Sequence, residues 1–288
     1  MKTFNSPIRY FGGKGGMYNQ ILEYFPKPDY DMYIEPFSGS YSIGLHMPYV
    51  PSVEIYNDMD KNIYSLFRVI QDGNMFEKFR EKCCKAIYHE DFRDDYKESL
   101  KRPFSEDPDD MVQRAFEYFY VNKTSHNGIG GFSMNCSVRR NMPKCVSDML
   151  STIDGLPELH ERFSRVMVSS KDGIELIEKY GDFSNAFMYC DPPYHHSTRT
   201  SVRYKVDMSD ESQERFIDAC IAAKCRILIS GYACEPYERL ERNGFKRVDF
   251  VVHTISGDMQ KKDKVESLWM NYDTESSEPE ESDCISLF

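Results

Sequence analysis

The sequence predicts an α/β fold in which helices cover a doubly wound, mostly parallel sheet. Short apolar runs of strand length alternate with amphipathic stretches of helical length, which is the pattern that crossover helices and parallel strands produce. Several runs end in acidic or turn-forming residues, as expected where parallel strands reach a ligand-binding edge. The length of 288 residues is enough for one large domain or one domain with a sizeable insertion.

Seven apolar runs are the candidate strands. In chain order they are DMYIEPF (31–37), SVEIYND (52–58), RVMVSSKD (165–172), NAFMYCDPPY (185–194), CRILISGY (225–232), KRVDFVVHTIS (246–256) and VESLWMNY (265–272). The last two are expected to form a terminal pair.

Three helices are predicted between these strands. They are DKNIYSLFRVIQD (60–72), DGIELIEKYG (172–181) and SDESQERFIDACIAA (209–223). In the first, Ile63, Leu66, Phe67 and Ile70 recur at helical spacing, and the last begins with Ser209 as a candidate N-cap.

Residues 74–145 interrupt the alternation. The segment is rich in charged and aromatic residues and poor in strand signals, and helices are predicted at Met75–Tyr88 and Pro108–Asn122. We therefore expect a mostly helical insertion between the second and third strands, with 1–73 and 146–272 forming the main domain. The remainder, 273–288, has six acids and no Lys or Arg, so a disordered tail is expected.

Charge and cysteine content narrow the function classes. The net charge is −11, yet Tyr118–Ser147 and His195–Val206 contain basic residues and no acid, which is compatible with a nucleic-acid groove. The nine cysteines show no CxxC pair, so reduced thiols are expected rather than a zinc site or a disulfide framework. No apolar run approaches the roughly 20 residues of a membrane helix, and the start has no signal-like apolar segment, so a cytoplasmic protein is expected.

A glycine-rich loop with one lysine occurs near the N-terminus, at residues 12–16. A nucleotide-triphosphate loop has the form G-x-x-x-x-G-K-[ST]. Here Ile8 stands at the first glycine position and Gly15 follows Lys14, so both anchors of that motif are missing. The kinase or ATPase interpretation therefore fails, and a flexible basic turn is the simplest alternative.

Two acidic strand ends predict a pocket for a small molecule. The first strand ends in Glu35-Pro36-Phe37 and continues into Ser38-Gly39-Ser40, where a glycine permits close approach of a ligand. The second ends at Asp58, about 20 residues later, where a carboxylate can accept both hydroxyls of a ribose. Asp58 could equally be the N-cap of the following helix.

The stretch DPPY, at residues 191–194, is the most specific feature. Two prolines remove two backbone donors and fix the direction of the Pro192 carbonyl. Asp191 adds a second acceptor, and Tyr194 offers an apolar face for stacking. This set of groups suits a planar heteroaromatic ring that carries an exocyclic amino group.

These motifs together resemble those of the Dam-type (D12 class) DNA adenine-N6 methyltransferases. DPPY follows a strand, E-P-F-x-G-S follows an earlier strand, and P-x-x-[WY]-x-G-G-K stands at the N-terminus, in the order of that family. YFYVNKTSHNG (118–128), the segment from Thr198-Arg199 to Tyr204, LISGY (228–232) and ESLWMNY (266–272) are similar to the phage-type branch. The resemblance covers residues 7–272 and implies a Rossmann-like, class I S-adenosylmethionine-dependent methyltransferase fold.

The resemblance also implies roles for individual residues. S-adenosylmethionine would be bound by Tyr10, Gly12, Gly13, Lys14, Glu35, Pro36, Phe37, Gly39, Asp58, Asp172 and Asp191. Lys14 would neutralise the cofactor's carboxylate, and Asp172 would bind its adenine unless it only caps a helix. The catalytic group would be Asp191, Pro192, Pro193 and Tyr194, acting on an adenine flipped out of the duplex.

The insertion would contact double-stranded DNA. The candidate residues are Asn122, Lys123, Asn127, Arg139, Arg140, Arg199 and Arg203. His126-Asn127-Gly128 differs from the sequence of many family members, and GIGGFSMN (128–135) differs from that of the members that read adenine in GATC, so GATC is not predicted as the target. A monomer without a metal cofactor is expected.

Three alternatives remain open at this level. Methylation of cytosine N4 or of adenine in RNA would use nearly the same site, although an aspartate at position 191 favours adenine. A DNA-binding relative without turnover is the alternative from a different class. Intact Lys14, Asp58 and DPPY disfavour it.

Overall fold

The computed structural model describes residues 4–10, 14–198, 208–255 and 261–274 of the chain. The strands are β1 (Met32–Glu35), β2 (Val53–Asn57), β3 (Val138–Arg139), β4 (Met142–Pro143), β5 (Met167–Ser169), β6 (Ala186–Cys190), β7 (Arg226–Gly231), β8 (Lys246–Ile255) and β9 (Lys261–Met270). The helices are α1 (Tyr18–Leu22), α2 (Ser42–His46), α3 (Lys61–Gln71), α4 (Gly73–Lys85), α5 (Glu90–Ser99), α6 (Pro108–Thr124), α7 (Lys144–Phe163), α8 (Gly173–Tyr180), α9 (Asp210–Ala222) and α10 (Glu238–Arg242).

Seven strands form one sheet in the order β5-β2-β1-β6-β7-β9-β8. The first five in this order are parallel neighbours, and β9 runs antiparallel between β7 and β8. All seven predicted strands are therefore confirmed, as is the mostly parallel sheet with a terminal pair. Because β1 and β6 are adjacent and parallel, Glu35 and Asp191 reach the same edge of the sheet.

The alternation of side chains along the strands produces two cores, one on each face. Tyr33 and Phe187 face a core shared with α3, α4, α6 and α7. Ile34 and Met188, the next residues in each strand, face a second core that includes α8, α9 and α10. Both faces are apolar, which explains why β1 and β6 appear in the sequence as continuous hydrophobic runs.

The helices of residues 74–145 pack on the main domain without a separate core. Phe79 of α4 contacts Phe119 of α6 at a centroid distance of 5.8 Å, and both belong to the same cluster as Phe67 of α3. The buried Arg114 of α6 donates to the Asn62 side chain of α3 at 2.8 Å. The two helices predicted here are confirmed at Gly73–Lys85 and Pro108–Thr124. The domain boundaries at 74 and 145 stay a prediction.

Two helix starts test the predicted caps. Ser209 caps α9 by accepting a hydrogen bond from the Ser212 amide, as expected. The cap of α3 is Asp60, which accepts from the Asn62 amide, so the alternative that Asp58 caps this helix is wrong.

Among the described residues, no helix is both long and apolar enough to cross a membrane. The eight cysteines within the same ranges are free thiols.

An ion pair inside the first core yields a stability prediction. The Glu54 side chain of β2 is fully buried, and Arg162 of α7 donates to its two oxygens at 2.6 and 2.7 Å. Arg162→Met should lower the free energy of unfolding by about 3–5 kcal/mol, because it removes both short charged hydrogen bonds from a buried carboxylate. Urea unfolding at neutral pH measures this loss.

Arg165 offers a matched control, since its guanidinium lies 3.8 Å from the same carboxylate and its side chain is 49% exposed. Arg165→Met should cost less than about 1 kcal/mol. Equal losses for the two variants would contradict the assignment of Arg162 as the essential partner of Glu54.

Candidate active site

The turn after β1 is held by the buried carboxylate of Glu35. It accepts hydrogen bonds from the Tyr33 hydroxyl and from the Gly44 amide of α2, both at 2.7 Å. Burial raises the pKa of Glu35 to about 8. Glu35, one of the predicted cofactor residues, therefore fixes the path of the chain from β1 into α2.

Gly39 and Tyr10 lie against each other at this turn. Gly39 has φ +49°, and a Cβ placed on it would lie 2.9 Å from the Tyr10 ring. A side chain would fill the space that the ring occupies, so glycine is required both by the backbone and by the close approach. The N-terminal segment and the turn after β1, predicted to share one ligand, are neighbours.

Asp58 holds the same turn from β2. Its carboxylate accepts from the Gly39 amide at 2.9 Å and from the Asp60 amide at 2.8 Å. Burial raises the pKa of Asp58 to about 7. The carboxylate therefore lies beside Gly39 and Tyr10, where a ribose is expected.

Asn57 joins three strand ends and was missed by the sequence interpretation. Its amide nitrogen donates to the carbonyls of Pro36 and Lys171 at 2.8 and 2.9 Å, and its oxygen accepts from the Lys171 amide at 2.9 Å. These bonds connect the ends of β1, β2 and β5. The only sequence signal is a polar residue within a buried strand end.

Phe37 and Asp172 occupy the start of α8. A Cβ on Gly173 would lie 2.5 Å from the Phe37 ring, so the ring packs directly on this helix turn. Asp172 caps α8 by accepting from the Ile174 amide at 2.9 Å and pairs with Arg215 at 3.2 Å. The cap alternative for Asp172 is confirmed, and its contact with the cofactor stays a prediction.

Asp191 follows β6 and is positioned through one of its two oxygens. Oδ1 accepts from the Ser230 hydroxyl at 2.9 Å and lies 2.9 Å from the Lys14 ammonium. The described residues donate no hydrogen bond to Oδ2, and the side chain is 20% exposed. Burial raises the pKa of Asp191 against the opposing effect of Lys14.

Lys14 is buried between two carboxylates. Its ammonium lies 2.9 Å from Asp191 and 3.0 Å from Glu266 of β9, and it also contacts the Tyr194 hydroxyl. Burial by itself would lower the pKa of Lys14, but the two carboxylates outweigh it and raise the pKa. The loop lysine predicted to meet the cofactor is thus placed against the DPPY aspartate.

Glu266 was not among the predicted site residues. It is 3% exposed, lies 3.0 Å from Lys14 and accepts a hydrogen bond from the Tyr194 hydroxyl. The signal in the sequence is the polar pair Glu266-Ser267 within the otherwise apolar run VESLWM (265–270).

Tyr194 and Pro193 are also held in place. The Tyr194 ring is 7% exposed and lies edge-on to Tyr232 at a centroid distance of 4.8 Å. Gln213 of α9 donates to the Pro193 carbonyl at 2.7 Å. Pro192 between Asp191 and Pro193 is buried.

A basic groove lies beside the N-terminal segment, and we define it by Arg9, Lys123, Arg139, Lys144 and Asp148. It consists of two cavities of about 530 and 280 Å³ that share Arg9, Lys123 and Asp148 as lining residues. Asp148 lies 3.3 Å from Arg9 and 2.7 Å from Arg139. Burial, and then the charge of Arg9, lowers the pKa of Lys123 to about 7.

The other predicted DNA contacts differ in accessibility. Asn122 is buried, and its amide accepts from Arg9 N at 2.8 Å and donates to Arg9 O at 2.7 Å, so it holds the N-terminal segment. Asn127 is exposed with φ 51°, and Arg140 is exposed at the turn between β3 and β4. Gly12, Gly13, Arg199, Arg203 and the tail beyond residue 274 lie outside the described residues.

A family comparison agrees with this geometry. The family model of D12 class N6 adenine-specific DNA methyltransferases matches residues 10–246. These residues include the Lys14 loop, the two acidic strand ends at Glu35 and Asp58, and DPPY. The chain belongs to this family. The family description favours adenine in DNA over the cytosine, RNA and non-catalytic alternatives, and the mostly parallel sheet is consistent with a class I methyltransferase fold.

Three curated proteins illustrate the range of relatives of this methyltransferase. Type II methyltransferase M.MjaIII of Methanocaldococcus jannaschii is 24% identical over 231 residues, which are 72% of this chain and 76% of that protein. Type II methyltransferase M.CviBI of Paramecium bursaria Chlorella virus NC1A is 26% identical over 196 residues, 65% of this chain and 68% of that protein. Modification methylase StsI of Streptococcus sanguinis is 26% identical over 203 residues, 67% of this chain and 29% of that protein.

The raised pKa of Asp58, about 7, predicts how the stability of the methyltransferase depends on pH. Between the ordinary aspartate pKa and about 7, the folded protein keeps a proton that the unfolded chain has released. The free energy of unfolding should therefore fall as pH rises through this window, by at most about 1.4 kcal/mol per pH unit for one such group.

Asp58→Asn should make this decline smaller when unfolding is followed by denaturant titration at pH 5, 6, 7 and 8. The variant loses absolute stability as well, because an amide offers only one oxygen to the Gly39 and Asp60 amides. Asp60→Asn keeps an N-cap side chain on α3 and controls for removing a nearby negative charge. An unchanged slope in Asp58→Asn would contradict the prediction.

Proposed function

We propose that this methyltransferase transfers a methyl group from S-adenosylmethionine to the N6 amino group of an adenine flipped out of double-stranded DNA. The observation that carries the proposal is the hydrogen bonding of the two carboxylate oxygens of Asp191. Its Oδ1 is held by Ser230 and Lys14, while Oδ2 takes no hydrogen bond from the described residues at a partly open position. An oriented carboxylate oxygen is thereby available to the substrate.

The residues around Gly39 fit the proposed cofactor. The Tyr10 ring lies in the space that a side chain at position 39 would fill, and Asp58 contributes buried carboxylate oxygens next to it. These groups suit a ribose and an apolar moiety, and the family implies S-adenosylmethionine as methyl donor. Bound there, the cofactor supplies an electrophilic methyl group.

Asp191 and the Pro192 carbonyl are the proposed acceptors for the two amino hydrogens of adenine. The amino lone pair is delocalised into the ring, and two hydrogen bonds to N–H favour a geometry that directs this lone pair toward the methyl group. As the nitrogen–carbon bond forms, the carboxylate stabilises the positive charge that develops on nitrogen. Methyl transfer would break the bond between the methyl carbon and the donor sulfur, with the electron pair retained by sulfur. The methylated amino group would then release one proton to solvent.

Lys14, Ser230 and Glu266 position the Asp191 carboxylate. The ammonium and the hydroxyl fix Asp191 Oδ1, and Glu266 provides the second negative charge that holds the ammonium in a buried position. Preorganisation of this kind removes reorientation of the carboxylate from the barrier. The buried Tyr194 ring forms one wall near this site and is proposed to contact the flipped base.

The basic groove is the proposed phosphate-binding surface. Arg9, Lys123, Arg139 and Lys144 line two adjoining cavities, whose acidic lining residues are Asp148 and Glu158. Asp148 holds Arg9 and Arg139 by ion pairs, so their guanidinium groups are preoriented. In the described residues, the Lys123 ammonium has no ion pair within 4.0 Å, which leaves it available for a phosphate.

The reaction product tests the activity directly. Unmethylated DNA is incubated with S-adenosylmethionine and the wild-type protein, hydrolysed to nucleosides and analysed by mass spectrometry, and N6-methyladenine is expected. Asp191→Ala should lower the rate by a factor on the order of 10² to 10³ or more, since it removes the charged acceptor.

Asp182→Ala is the matched control, because this exposed carboxylate pairs with Lys224 away from the site. It should keep the wild-type rate. N4-methylcytosine as the product would overturn the proposed substrate, and equal rates for wild type and Asp191→Ala would overturn the proposed role of Asp191.

Lys123 should make DNA binding depend on pH. Its pKa in the free protein is about 7, and a bound phosphate raises that pKa, so binding takes up a proton. The affinity for a DNA duplex, measured by fluorescence anisotropy, should fall from pH 6 to pH 8. Lys123→Gln should remove most of this dependence and reduce the slope of log affinity against log salt by about 1.

The control is Lys82→Gln, which removes an exposed lysine on α4 that bonds to Gln113. It should retain the pH dependence and the salt slope of the wild type. A wild-type affinity that is constant from pH 6 to 8 would contradict the role given to Lys123.

A further inference from the structure

A cluster of metal-ligating side chains lies directly after Tyr194 and takes no part in the contacts described above. His195, His196 and Asp210 each offer one ligand atom, and these atoms lie within 4.8 Å of one another. His195 Nε2 is 3.4 Å from Asp210 Oδ1, and His196 Nδ1 is 3.0 Å from the same oxygen. The three groups converge on one point between the turn after DPPY and the start of α9.

These distances suit a tetrahedral ion. Nitrogen and oxygen ligands bind Zn²⁺ at about 2.0–2.2 Å, which places neighbouring ligand atoms about 3.4 Å apart. Both distances to Asp210 already have nearly this length. The two imidazole nitrogens lie within 4.8 Å of each other, and His196 is 66% exposed, so its ring can turn to reach this spacing.

His195 is held in place by Ser197. Its Nδ1 accepts a hydrogen bond from the Ser197 amide at 3.3 Å and lies 2.8 Å from the Ser197 hydroxyl, so the ring is oriented with Nε2 toward Asp210. The His195 side chain is 12% exposed, whereas that of Asp210 is 70% exposed. One ligand is thus anchored and the others are open to solvent, so an ion can enter and retain water.

The donor set selects the class of ligand. Imidazole nitrogens favour Zn²⁺, Cu²⁺ and Ni²⁺ over Mg²⁺ and Ca²⁺, which prefer oxygen donors. A phosphate is disfavoured, because Asp210 and Glu211 stand together in the first turn of α9. We propose that His195, His196 and Asp210 form a binding site for a divalent transition metal ion of the zinc class.

The consequence would be a cross-link beside the active site. The ion would connect the residue that follows Tyr194 to α9, the helix whose Gln213 already holds the Pro193 carbonyl. Zinc should therefore stabilise this region of the fold by binding only the native arrangement.

Zinc chloride titrated into the full-length protein tests the proposal without DNA or cofactor, so the outcome is independent of methyl transfer. Exposed thiols such as Cys84 and Cys136 are first alkylated, because thiolates bind zinc. Competition with a chromogenic zinc indicator should show one equivalent bound to the wild type. His196→Ala and Asp210→Asn should each weaken this binding by at least about tenfold.

His89→Ala is the matched control. His89 lies 3.9 Å from Asp91, in an exposed pair of one histidine and one aspartate. Because this pair contains only one imidazole, His89→Ala should leave zinc binding unchanged. Melting temperatures equal to that of the wild type in the absence of zinc establish that the variants fold. A melting temperature that zinc raises in the wild type, but not in His196→Ala or Asp210→Asn, supports the site. Absence of a bound equivalent in wild type, or wild-type affinity in both His196→Ala and Asp210→Asn, would overturn the proposal.

Discussion

The buried ammonium of Lys14 is the interaction on which the candidate active site depends. It lies within 3.0 Å of both Asp191 and Glu266, and so joins the N-terminal loop to β6 and β9. A lysine in this position would be strongly destabilising alone, because burial removes its hydration. Two carboxylates offset that cost, and each of them is in turn held in one orientation. The position of Asp191, the proposed catalytic residue, is therefore a property of three distant segments together, rather than of the DPPY turn alone.

The parallel sheet makes this convergence possible. Strands β1, β2, β5 and β6 end at one edge, and the groups that follow them are cross-linked by short hydrogen bonds instead of being left as mobile loops. Asn57 joins three of these ends, and Asp58 fixes Gly39 beneath the Tyr10 ring. Burial raises the pKa values of two carboxylates of this edge, Glu35 and Asp58, to about 8 and about 7, so their protonation should change near neutral pH.

Helix α6 also contacts the N-terminal segment of the candidate site. Asn122 binds both backbone groups of Arg9, and Gly128 has φ +83° with no space for a Cβ, which would lie 2.6 Å from the Arg9 carbonyl. Arg9 lines the basic groove, and the next residue, Tyr10, packs on Gly39. The proposed DNA surface and the proposed cofactor pocket are thus connected through two consecutive residues. Contact of DNA with Arg9 would act directly on the segment that covers Gly39.

The sequence by itself determined the seven strands, the main helices and the DPPY motif, because hydrophobic periodicity, turn chemistry and short motifs are local properties. It also predicted Lys14, Asp58 and Asp191 as site residues. It did not find α7, since Gly155 and Pro157 obscure the helical pattern there. Only the tertiary structure decided that Asp60 rather than Asp58 caps α3, because that choice depends on backbone direction. Glu266, Ser230 and Asn57 likewise became site residues only through folding. Each is a polar residue within an apolar run. Its partner lies 21 to 252 residues away, a separation that no local pattern records.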